Sequence, residues 1–334
     1  MRVAVTGATG HVGSNLVRAL QQRGDQVRVL IRDRADALAG LEVERVRGSV
    51  GDAEALQRLF AGVDVVYHLA AMISISGDPH GHVRATNVDG TRRVATAALA
   101  AGVRRMVHCS SVHAFDLYVP GGEGEQRVDE SWPRVPDAAP HFAYDRSKAA
   151  GERALREVMA LGLEAVIVHP SGVVGPFDFG PSRMGRVLLG LYHRSLSSLI
   201  DGGFDFVDVR DVCAGLMAAA ERGVAGANYI VTGHHLRVSS LARIAEQVTG
   251  VRSPRINMPI WALRLGVPAV EAVGRVLGKE PLYTRESIKV LETRVRFDWG
   301  RAARDLGYAP RPTLDTVRDT YAWFEQAGML RRGR

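Results

Sequence analysis

Tyr144 and Lys148 lie four residues apart in the segment Tyr-Asp-Arg-Ser-Lys, a spacing that puts two side chains on one face of a helix. A phenol, with an ordinary pKa of about 10, is a poor acid or base at neutral pH. An ammonium one helical turn away stabilises the phenolate and makes proton transfer feasible. Only three of the 43 basic residues are lysine, so chance seldom produces this spacing. The pair predicts proton transfer by Tyr144; the alternative is a surface tyrosine beside a lysine.

A glycine-rich turn follows the first apolar run of the chain. Residues 3–5 lead into Thr6-Gly7-Ala8-Thr9-Gly10-His11-Val12-Gly13, and residues 15–20 then have helical spacing. Strand, glycine turn and helix in this order are typical of a dinucleotide site. The first glycine permits a tight turn, the second lets the backbone approach a pyrophosphate, and the third lets helix and strand pack closely. We expect this turn, including Thr9, His11 and Val12, to face the phosphates at the helix amino terminus.

Arg32 follows the second predicted strand, residues 26–31, and bears on the choice of dinucleotide. NAD sites usually have an acidic residue there for the ribose hydroxyls, whereas an arginine suits a 2′-phosphate. Asp33 is the competing candidate, and Arg34 is placed to reinforce Arg32. We therefore expect NADP(H) in preference to NAD(H), with an ordinary surface arginine as the alternative.

The elements that must position these residues alternate along the first half of the chain. Strands are predicted at 2–5, 26–31, 41–47, 64–71 and 105–109, with helices at 15–20, at 52–61 and through Asn87 to Ala101. This alternation predicts an α/β fold built on a doubly wound parallel (Rossmann) sheet. Ligands bind at the carboxyl ends of such strands, and Ser110 and Ser111 follow one of those ends.

Composition excludes several other classes of function. The net charge of +7 is dispersed, without a basic block or aromatic ladder, so no nucleic-acid partner is expected. No uninterrupted apolar run approaches the length needed to span a membrane, and the chain opens on a strand instead of a signal sequence. Two cysteines and no metal-ligand spacing suit a reducing cytoplasm. His80, His82, His234 and His235 are predicted to lie in surface loops, and no metal site is expected.

The motifs resemble those of the extended short-chain dehydrogenase/reductase family, in the branch of dihydroflavonol reductases, hydroxysteroid dehydrogenases and sugar-nucleotide epimerases. The resemblance runs nearly end to end. It is carried by Thr6-Gly7-x-x-Gly10-x-x-Gly13, His68-Leu69-Ala70-Ala71, Asn87-Val88-Asp89-Gly90-Thr91, Ser110-Ser111, Tyr144-x-x-x-Lys148, His169-Pro170-Ser171-Gly172 and Phe206-Val207-Asp208. These motifs identify the family far better than the substrate.

The resemblance implies a role for each matching residue. Tyr144 would donate or accept the proton, Lys148 would hold the nicotinamide ribose and tune Tyr144, and Ser111 would hydrogen-bond the substrate oxygen. Asn87 would help to order the site. The strand-end residues Leu69, Ala70, Ala71, His169 and Pro170 would line the cofactor, and relatives commonly form homodimers through the helices that include the Tyr–Lys helix.

Three departures from the family pattern qualify these roles. Ser49 stands where the family often has an aspartate near the adenine, so Asp52 is the substitute candidate for that contact. His169-Pro170 replaces the common Arg-Pro. The glycine that usually closes the serine loop is missing after Ser111.

The alternation of predicted strands and helices becomes less regular after Pro170, which predicts a second lobe. We expect residues 1–175, with 206–233 returning, to form the dinucleotide domain, and 176–205 with 234–334 to form the smaller substrate lobe and lid. The apolar stretch 256–277 has helical periodicity; it is read as core, or alternatively as the lining of an apolar pocket or a peripheral contact with a membrane surface.

The predicted activity is that of an NADPH-dependent carbonyl reductase or alcohol dehydrogenase acting on a fairly apolar ketone or aldehyde. The first alternative is a nucleotide-sugar epimerase or dehydratase with tightly bound NAD(P). The second is a sensor or scaffold that binds the dinucleotide without catalysis, since fold alone does not determine function.

Overall fold

A parallel sheet with helices on both faces forms the centre of the protein. The computed structural model describes residues 1–33, 35–74, 77–117, 126–137, 141–262, 289 and 295–331. Within these residues the central sheet has seven strands in the order β11-β7-β5-β4-β1-β2-β3. They are β1 (Arg2–Thr6), β2 (Gln26–Ile31), β3 (Glu44–Arg47), β4 (Val65–His68), β5 (Arg105–Cys109), β7 (Ala165–Pro170) and β11 (Asn228–Val231). The predicted fold class is confirmed.

Two helical layers cover the sheet because its inner strands are apolar on both sides. Helices α1 (His11–Gln22) and α7 (Val209–Arg222) pack together on one face. The other face carries α2 (Ala53–Phe60), α4 (Gly90–Ala100) and α5 (Ala143–Met159). A short helix α3 (His82–Arg84) and a π-helical turn (Ala85–Asp89) lead directly into α4.

Two predicted strands are shorter in the structure than in the sequence analysis. The strand expected at 41–47 is confined to Glu44–Arg47, where it pairs with β2 at the sheet edge. The strand expected at 64–71 ends at His68. It ends there because the backbone of Leu69 and Ala70 turns to pass against Gly7, where an added Cβ would lie 2.6–2.8 Å from their atoms.

Most of the remaining described elements form a second group with an aromatic-rich core. Strands β8 (Gly172–Val174), β10 (Gly203–Asp208) and β12 (His234–Arg237) make a three-stranded sheet. Two-stranded pairs join β9 (Leu199–Ile200) with β13 (Asn257–Met258), and β6 (Gln126–Val128) with β14 (Val295–Phe297). Helices α6 (Arg183–Tyr192), α8 (Val238–Thr249) and α10 (Thr313–Gln326) pack on them, while α9 (Gly300–Leu306) packs against α7 and β11.

The predicted apolar stretch 256–277 is described only as far as residue 262. Within that part Ile256 and Trp261 are exposed, at 66% and 68% of their surface. Residues 263–277 lie outside the described residues. In the parts of the chain that the structure describes, no helix is both long and apolar enough to cross a membrane.

Candidate active site

Helix α5 carries Tyr144 and Lys148 on one buried face at the carboxyl ends of the central strands. The Lys148 Nζ donates a hydrogen bond to the Cys109 carbonyl, 3.1 Å away at the end of β5, and lies 6.0 Å from the centre of the Tyr144 ring. Both side chains are largely buried. Burial lowers the pKa of the Lys148 ammonium, although Cys109 and Glu152 partly oppose that shift. The structure thus brings the cation and the phenol together.

The two serines after β5 have different partners, which separates their roles. The Ser110 hydroxyl donates to the buried carboxylate of Glu152. Glu152 also accepts from Arg134 Nε at 2.9 Å, so Ser110 belongs to a buried polar cluster. The Ser111 Oγ accepts from the backbone N–H of His113 at 3.3 Å and caps the short turn Val112–Ala114, which packs against α5. The turn that Ser111 caps therefore packs against the helix that carries Tyr144.

Asn87 lies in the π-helical turn and ties three segments together. Its side-chain amide donates to the Met72 carbonyl at 2.9 Å and to Ser147 Oγ at 2.9 Å, while its Oδ1 accepts from the Met72 N–H at 2.7 Å. Ser147 in turn donates to the Tyr144 carbonyl at 2.7 Å. Asn87 thus fixes the chain after β4 against the turn of α5 that carries Tyr144.

A one-directional hydrogen-bond chain under the site links β1 to the π-helical turn. The Ala70 N–H donates to Thr6 Oγ1, which lies 2.7 Å from His68 Nδ1. His68 Nε2 lies 3.0 Å from Thr91 Oγ1, and the Thr91 hydroxyl donates to the Asn87 carbonyl. Because that hydroxyl proton is committed to Asn87, Nε2 must carry the His68 proton. Burial lowers the pKa of His68 to about 3, which agrees with a neutral ring.

Two further histidines, His108 on β5 and His169 on β7, are buried in the same sheet. His108 is paired with His68 across β4 and β5, and their ring centroids are 5.2 Å apart. Within the described residues neither ring nitrogen of His108 has a hydrogen-bond partner. His169 Nδ1 donates to the Ser111 carbonyl at 3.2 Å. Burial lowers the pKa of His169 to about 4, and burial likewise lowers the pKa of His108.

The glycine turn is shaped to receive a dinucleotide. An added Cβ at Gly13 would lie 2.1 Å from the Gly7 carbonyl oxygen, so the helix and the turn approach each other as the motif requires. At Gly10, by contrast, the nearest atom to an added Cβ is 3.4 Å away, which leaves its outer side open to a ligand. Gly10 is also the N-cap residue of α1, whose first N–H groups point outward. The residues present therefore fit a bound pyrophosphate.

The other predicted cofactor residues are divided between the crevice and the interior. Arg32 and Asp33 both lie exposed just beyond β2, and Arg34 lies outside the described residues. Asp52 uses its Oδ1 to cap α2 by accepting from the Ala55 N–H at 3.0 Å. Leu69 and Ala70 are half-buried and Ala71 is exposed. His169 and Pro170 are buried at the end of β7, where His169 Nδ1 lies 3.2 Å from the Ser111 carbonyl.

His11 has a contact that the sequence analysis did not anticipate. Its Nε2 lies 3.2 Å from the Gly175 carbonyl and 3.1 Å from the Pro176 carbonyl. Asn15 Nδ2 donates to the same Pro176 carbonyl at 2.9 Å. The start of α1 therefore holds the segment that leaves β8. The only hint in the sequence was that polar residues occupy the variable positions of the glycine turn.

The pair His113 and Asp145 was also missed. Their Nδ1 and Oδ1 atoms are 3.0 Å apart, and the His113 ring meets the Tyr144 ring edge-on with centroids 5.5 Å apart. A usable signal existed, because His113 is two residues after Ser111 and Asp145 directly follows Tyr144. Among the described residues no His, Cys, Asp and Glu side chains are grouped to hold a metal ion.

Comparison with known proteins agrees with this geometry. Residues 3–232 match the model of the NAD dependent epimerase/dehydratase family. The chain belongs to this family. Its place in the extended short-chain dehydrogenase/reductase branch confirms the resemblance drawn from the motifs. The protein is an NAD(P)-dependent enzyme of the oxidoreductase type that binds a nicotinamide dinucleotide.

The similarity to individual relatives extends over nearly the whole chain. Sterol demethylase protein B of Methylococcus capsulatus is 37% identical, over 99% of this chain and 100% of its own length. A putative dihydroflavonol 4-reductase of Synechocystis is 31% identical, over 98% of this chain and 95% of its own. The crystal structure of gox2253 superimposes with a TM-score of 0.83 at 35% identity, covering 98% of this chain and 99% of that one.

Proposed function

We propose that the protein is an NADPH-dependent carbonyl reductase that acts on a fairly apolar ketone or aldehyde. The observation that carries the proposal is the position of Lys148, whose Nζ is held by the Cys109 carbonyl at the strand end that leads into Ser111 and lies 6.0 Å from the Tyr144 ring. A fixed cation beside a phenol and a hydroxyl is the arrangement needed to protonate a developing alkoxide. The names of the two relatives, one a sterol enzyme and one a putative dihydroflavonol reductase, support an apolar carbonyl substrate.

In this proposal each residue has a defined task. Tyr144 gives its phenolic proton to the carbonyl oxygen, Ser111 donates a hydrogen bond that orients that oxygen, and Lys148 stabilises the phenolate that remains. Asn87 holds the turn of α5 that carries Tyr144 in place by donating a hydrogen bond to Ser147, which in turn donates to the Tyr144 carbonyl. Gly7, Gly10 and Gly13 would hold the pyrophosphate of the dinucleotide. The nicotinamide bound there supplies the hydride.

We assign the preference for NADP(H) over NAD(H) to Arg32. It is exposed immediately after β2, where a guanidinium can meet a 2′-phosphate. Asp33 is exposed as well and is the residue that would favour NAD(H), so the dissociation constants of NADPH and NADH decide between them.

The second candidate is an epimerase or dehydratase that returns its hydride to the substrate. The family description favours it, because that description covers both activities. The two candidates differ in the fate of the cofactor. A reductase consumes NADPH in proportion to product, whereas an epimerase purifies with bound dinucleotide that is not consumed.

A spectrophotometric panel tests the proposal. Purified protein is mixed with NADPH and with aromatic aldehydes, aryl ketones, dihydroflavonols or 3-ketosteroids, and absorbance loss is matched to alcohol formed. We expect stoichiometric conversion for at least one apolar carbonyl. A nucleotide sugar is offered to the same protein in parallel. If it is converted without net loss of NADPH and no panel member is reduced, the second candidate replaces the first.

The remaining expectations about organisation are proposals of the same kind. Residues 1–175 with 206–233 would bind the dinucleotide, and 176–205 with 234–334 would bind and cover the substrate. We also propose a homodimer, which size-exclusion chromatography with light scattering tests. A cytoplasmic location is supported by the two free, buried thiols of Cys109 and Cys213.

A further inference from the structure

We propose that Glu152 is a positioning residue of the active site, whose buried carboxylate keeps the Lys148 ammonium charged beside Tyr144. The inference rests on the proposed reductase function and deepens it, since the mechanism above gives Glu152 no task. Glu152 lies about two helical turns beyond Tyr144 on the same helix, α5. One carboxylate would then determine the pH range in which the protein reduces its substrate.

Three segments of the chain meet at the Glu152 carboxylate. Its side chain is 2% exposed. Oε1 accepts from the Ser110 hydroxyl after β5 and lies 3.3 Å from His169 Nδ1 at the end of β7. Oε2 accepts from Arg134 Nε at 2.9 Å, and the Arg134 guanidinium is itself held over the Phe115 ring, 4.1 Å from its centroid. The carboxylate is therefore fixed in place beneath the serine turn.

The Glu152 carboxylate is ionised at neutral pH. Burial alone would raise the pKa of Glu152, but His169, Arg134 and the Ser110 hydroxyl together outweigh burial and lower that pKa. A buried charge is costly unless it is paired and hydrogen-bonded, and here donors from three segments satisfy it. A negative charge thus persists in the interior of the site.

Lys148 is the cation on the same face of α5. It precedes Glu152 by one helical turn, so the two side chains are neighbours. Their hydrogen bonds hold successive residues of the chain, because Lys148 Nζ donates to the Cys109 carbonyl at 3.1 Å and Ser110 donates to Glu152. Burial lowers the pKa of the Lys148 ammonium, whereas Cys109 and the Glu152 carboxylate oppose that change. Without the ammonium, the phenolate left by Tyr144 would lose its stabilising charge.

Four other titratable side chains around the pair carry no charge near neutral pH. Burial lowers the pKa values of the three histidines among them and raises the pKa of the one thiol, so every member is neutral: His68, His108, His169 and Cys109. None of them can replace a carboxylate as the counter-charge of Lys148.

The charged groups on the neighbouring elements leave one competitor. Arg134 has the same sign as Lys148 and so disfavours the ammonium. Asp145 is buried on α5 one turn before Lys148, with its Oδ1 3.0 Å from His113 Nδ1, and its charge is the competing source of stabilisation. Other charges on the elements that pack against α5 are partly or fully exposed and are screened by solvent: Arg84, Asp89, Arg92 and Arg93.

Titration of the lysines tests the inference without turnover. The chain has three lysines, so ¹³C labelling at lysine Cε gives three resonances, and Lys148→Arg identifies the one that belongs to Lys148. We expect Glu152→Gln to move the titration of Lys148 to lower pH. Glu157→Gln is the matched control, because Glu157 lies further along α5, is exposed and pairs with Arg92. This control should leave the titration unchanged.

The pH profile of turnover is the second readout. A charge one helical turn away changes the protonated fraction of its neighbour by about tenfold. Because reduction needs the charged ammonium, kcat of Glu152→Gln with saturating NADPH should fall about tenfold between about pH 7 and pH 9, relative to Glu157→Gln. The alkaline limb of the profile thus moves to lower pH. A merely structural role for Glu152 would lower stability or the overall rate without moving that limb.

A double variant keeps the test valid if Glu152→Gln fails to fold, since that substitution leaves the Arg134 guanidinium without its carboxylate. Glu152→Gln combined with Arg134→Gln removes both charges together. It is compared with Arg134→Gln alone, so that the difference isolates the carboxylate. We expect Lys148 to titrate at lower pH in the double variant than in Arg134→Gln.

The outcomes separate this inference from the reductase proposal. If Lys148 titrates alike with and without the Glu152 carboxylate, or if Asp145→Asn moves the titration instead, the assignment of Glu152 is wrong. A rate profile that stays fixed while Lys148 titrates at lower pH would also contradict it. If the titration moves as expected but the wild type reduces no carbonyl, the electrostatic role of Glu152 stands and the reductase function falls.

Discussion

Two stacked, buried histidines should respond in opposite directions to replacement by leucine. His68 and His108 are neighbours across β4 and β5, with ring centroids 5.2 Å apart. Both are buried and their pKa values are lowered by that burial, so both rings are neutral near neutral pH. His68 has a partner at each nitrogen, whereas within the described residues His108 has none.

The magnitudes follow from this difference in hydrogen bonding. An unsatisfied buried polar group costs about 1–3 kcal/mol, and a stacked ring pair contributes about 0.5–1.5 kcal/mol. Removing the imidazole of His108 should therefore raise the free energy of unfolding by about 0.5–1.5 kcal/mol. Replacing His68 removes two hydrogen bonds and leaves the buried Thr6 hydroxyl without an acceptor. The free energy of unfolding should then fall by about 2–4 kcal/mol.

Urea denaturation at about pH 7.5, followed by circular dichroism, measures both variants against the wild type. The slope of the unfolding free energy against urea concentration should be the same in the variants and the wild type, so a shift in the midpoint urea concentration measures the change in stability directly. The two substitutions have the same chemistry and neighbouring positions, so each is the control for the other. Equal destabilisation by both would mean that the His108 nitrogens are satisfied in solution, and the reasoning would be refuted.

Three further results are expected. Gly13→Ala should abolish dinucleotide binding in a fluorescence titration, because the added Cβ would lie 2.1 Å from the Gly7 carbonyl oxygen. Gly10→Ala is the control: its added Cβ would lie 3.4 Å from the same oxygen, so this variant should fold normally and only weaken binding. The free energy of unfolding should fall as pH drops from about 6.5 toward 4, by up to about 1.4 kcal/mol per pH unit for each buried histidine. The reason is that histidines in the unfolded chain bind protons in this range, whereas the buried rings of the folded protein stay neutral. His108→Leu should show a shallower fall, and a curve identical to that of the wild type would contradict the assignment. Arg32→Ser should raise the dissociation constant of NADPH at least tenfold and leave that of NADH within about twofold; an equal loss for both would remove Arg32 from the cofactor site.

Much of the central sheet could be predicted because its signals are local. The run Val3-Ala4-Val5, the glycine turn and the helix after it follow one another in sequence, and each has a physical reason that needs no distant partner. The ends of strands were harder. β4 stops at His68 because the next residues pass against Gly7, which is far away in sequence.

The contacts of the candidate site are likewise of two kinds, those within one element and those between residues far apart in sequence. Tyr144 and Lys148 share one helix, so their spacing alone predicts their proximity. The contacts of His113 with Asp145, of His11 with the Gly175 and Pro176 carbonyls, and of His68 with Thr6 and Thr91 all join residues more than twenty positions apart. No periodicity encodes such pairs. The contact of His169 with the Ser111 carbonyl joins residues 58 positions apart and is of the same kind, whereas the cofactor contact that the family pattern suggests for His169 stays a prediction.

Tyr144→Phe tests the central claim most directly. The substitution removes one hydroxyl and keeps the ring that packs against His113. The rate of carbonyl reduction with saturating NADPH should fall by about 10²–10⁴-fold, while the dissociation constant of NADPH changes by less than about threefold. A variant that turns over at the wild-type rate would contradict the account, because the proton would then come from another group.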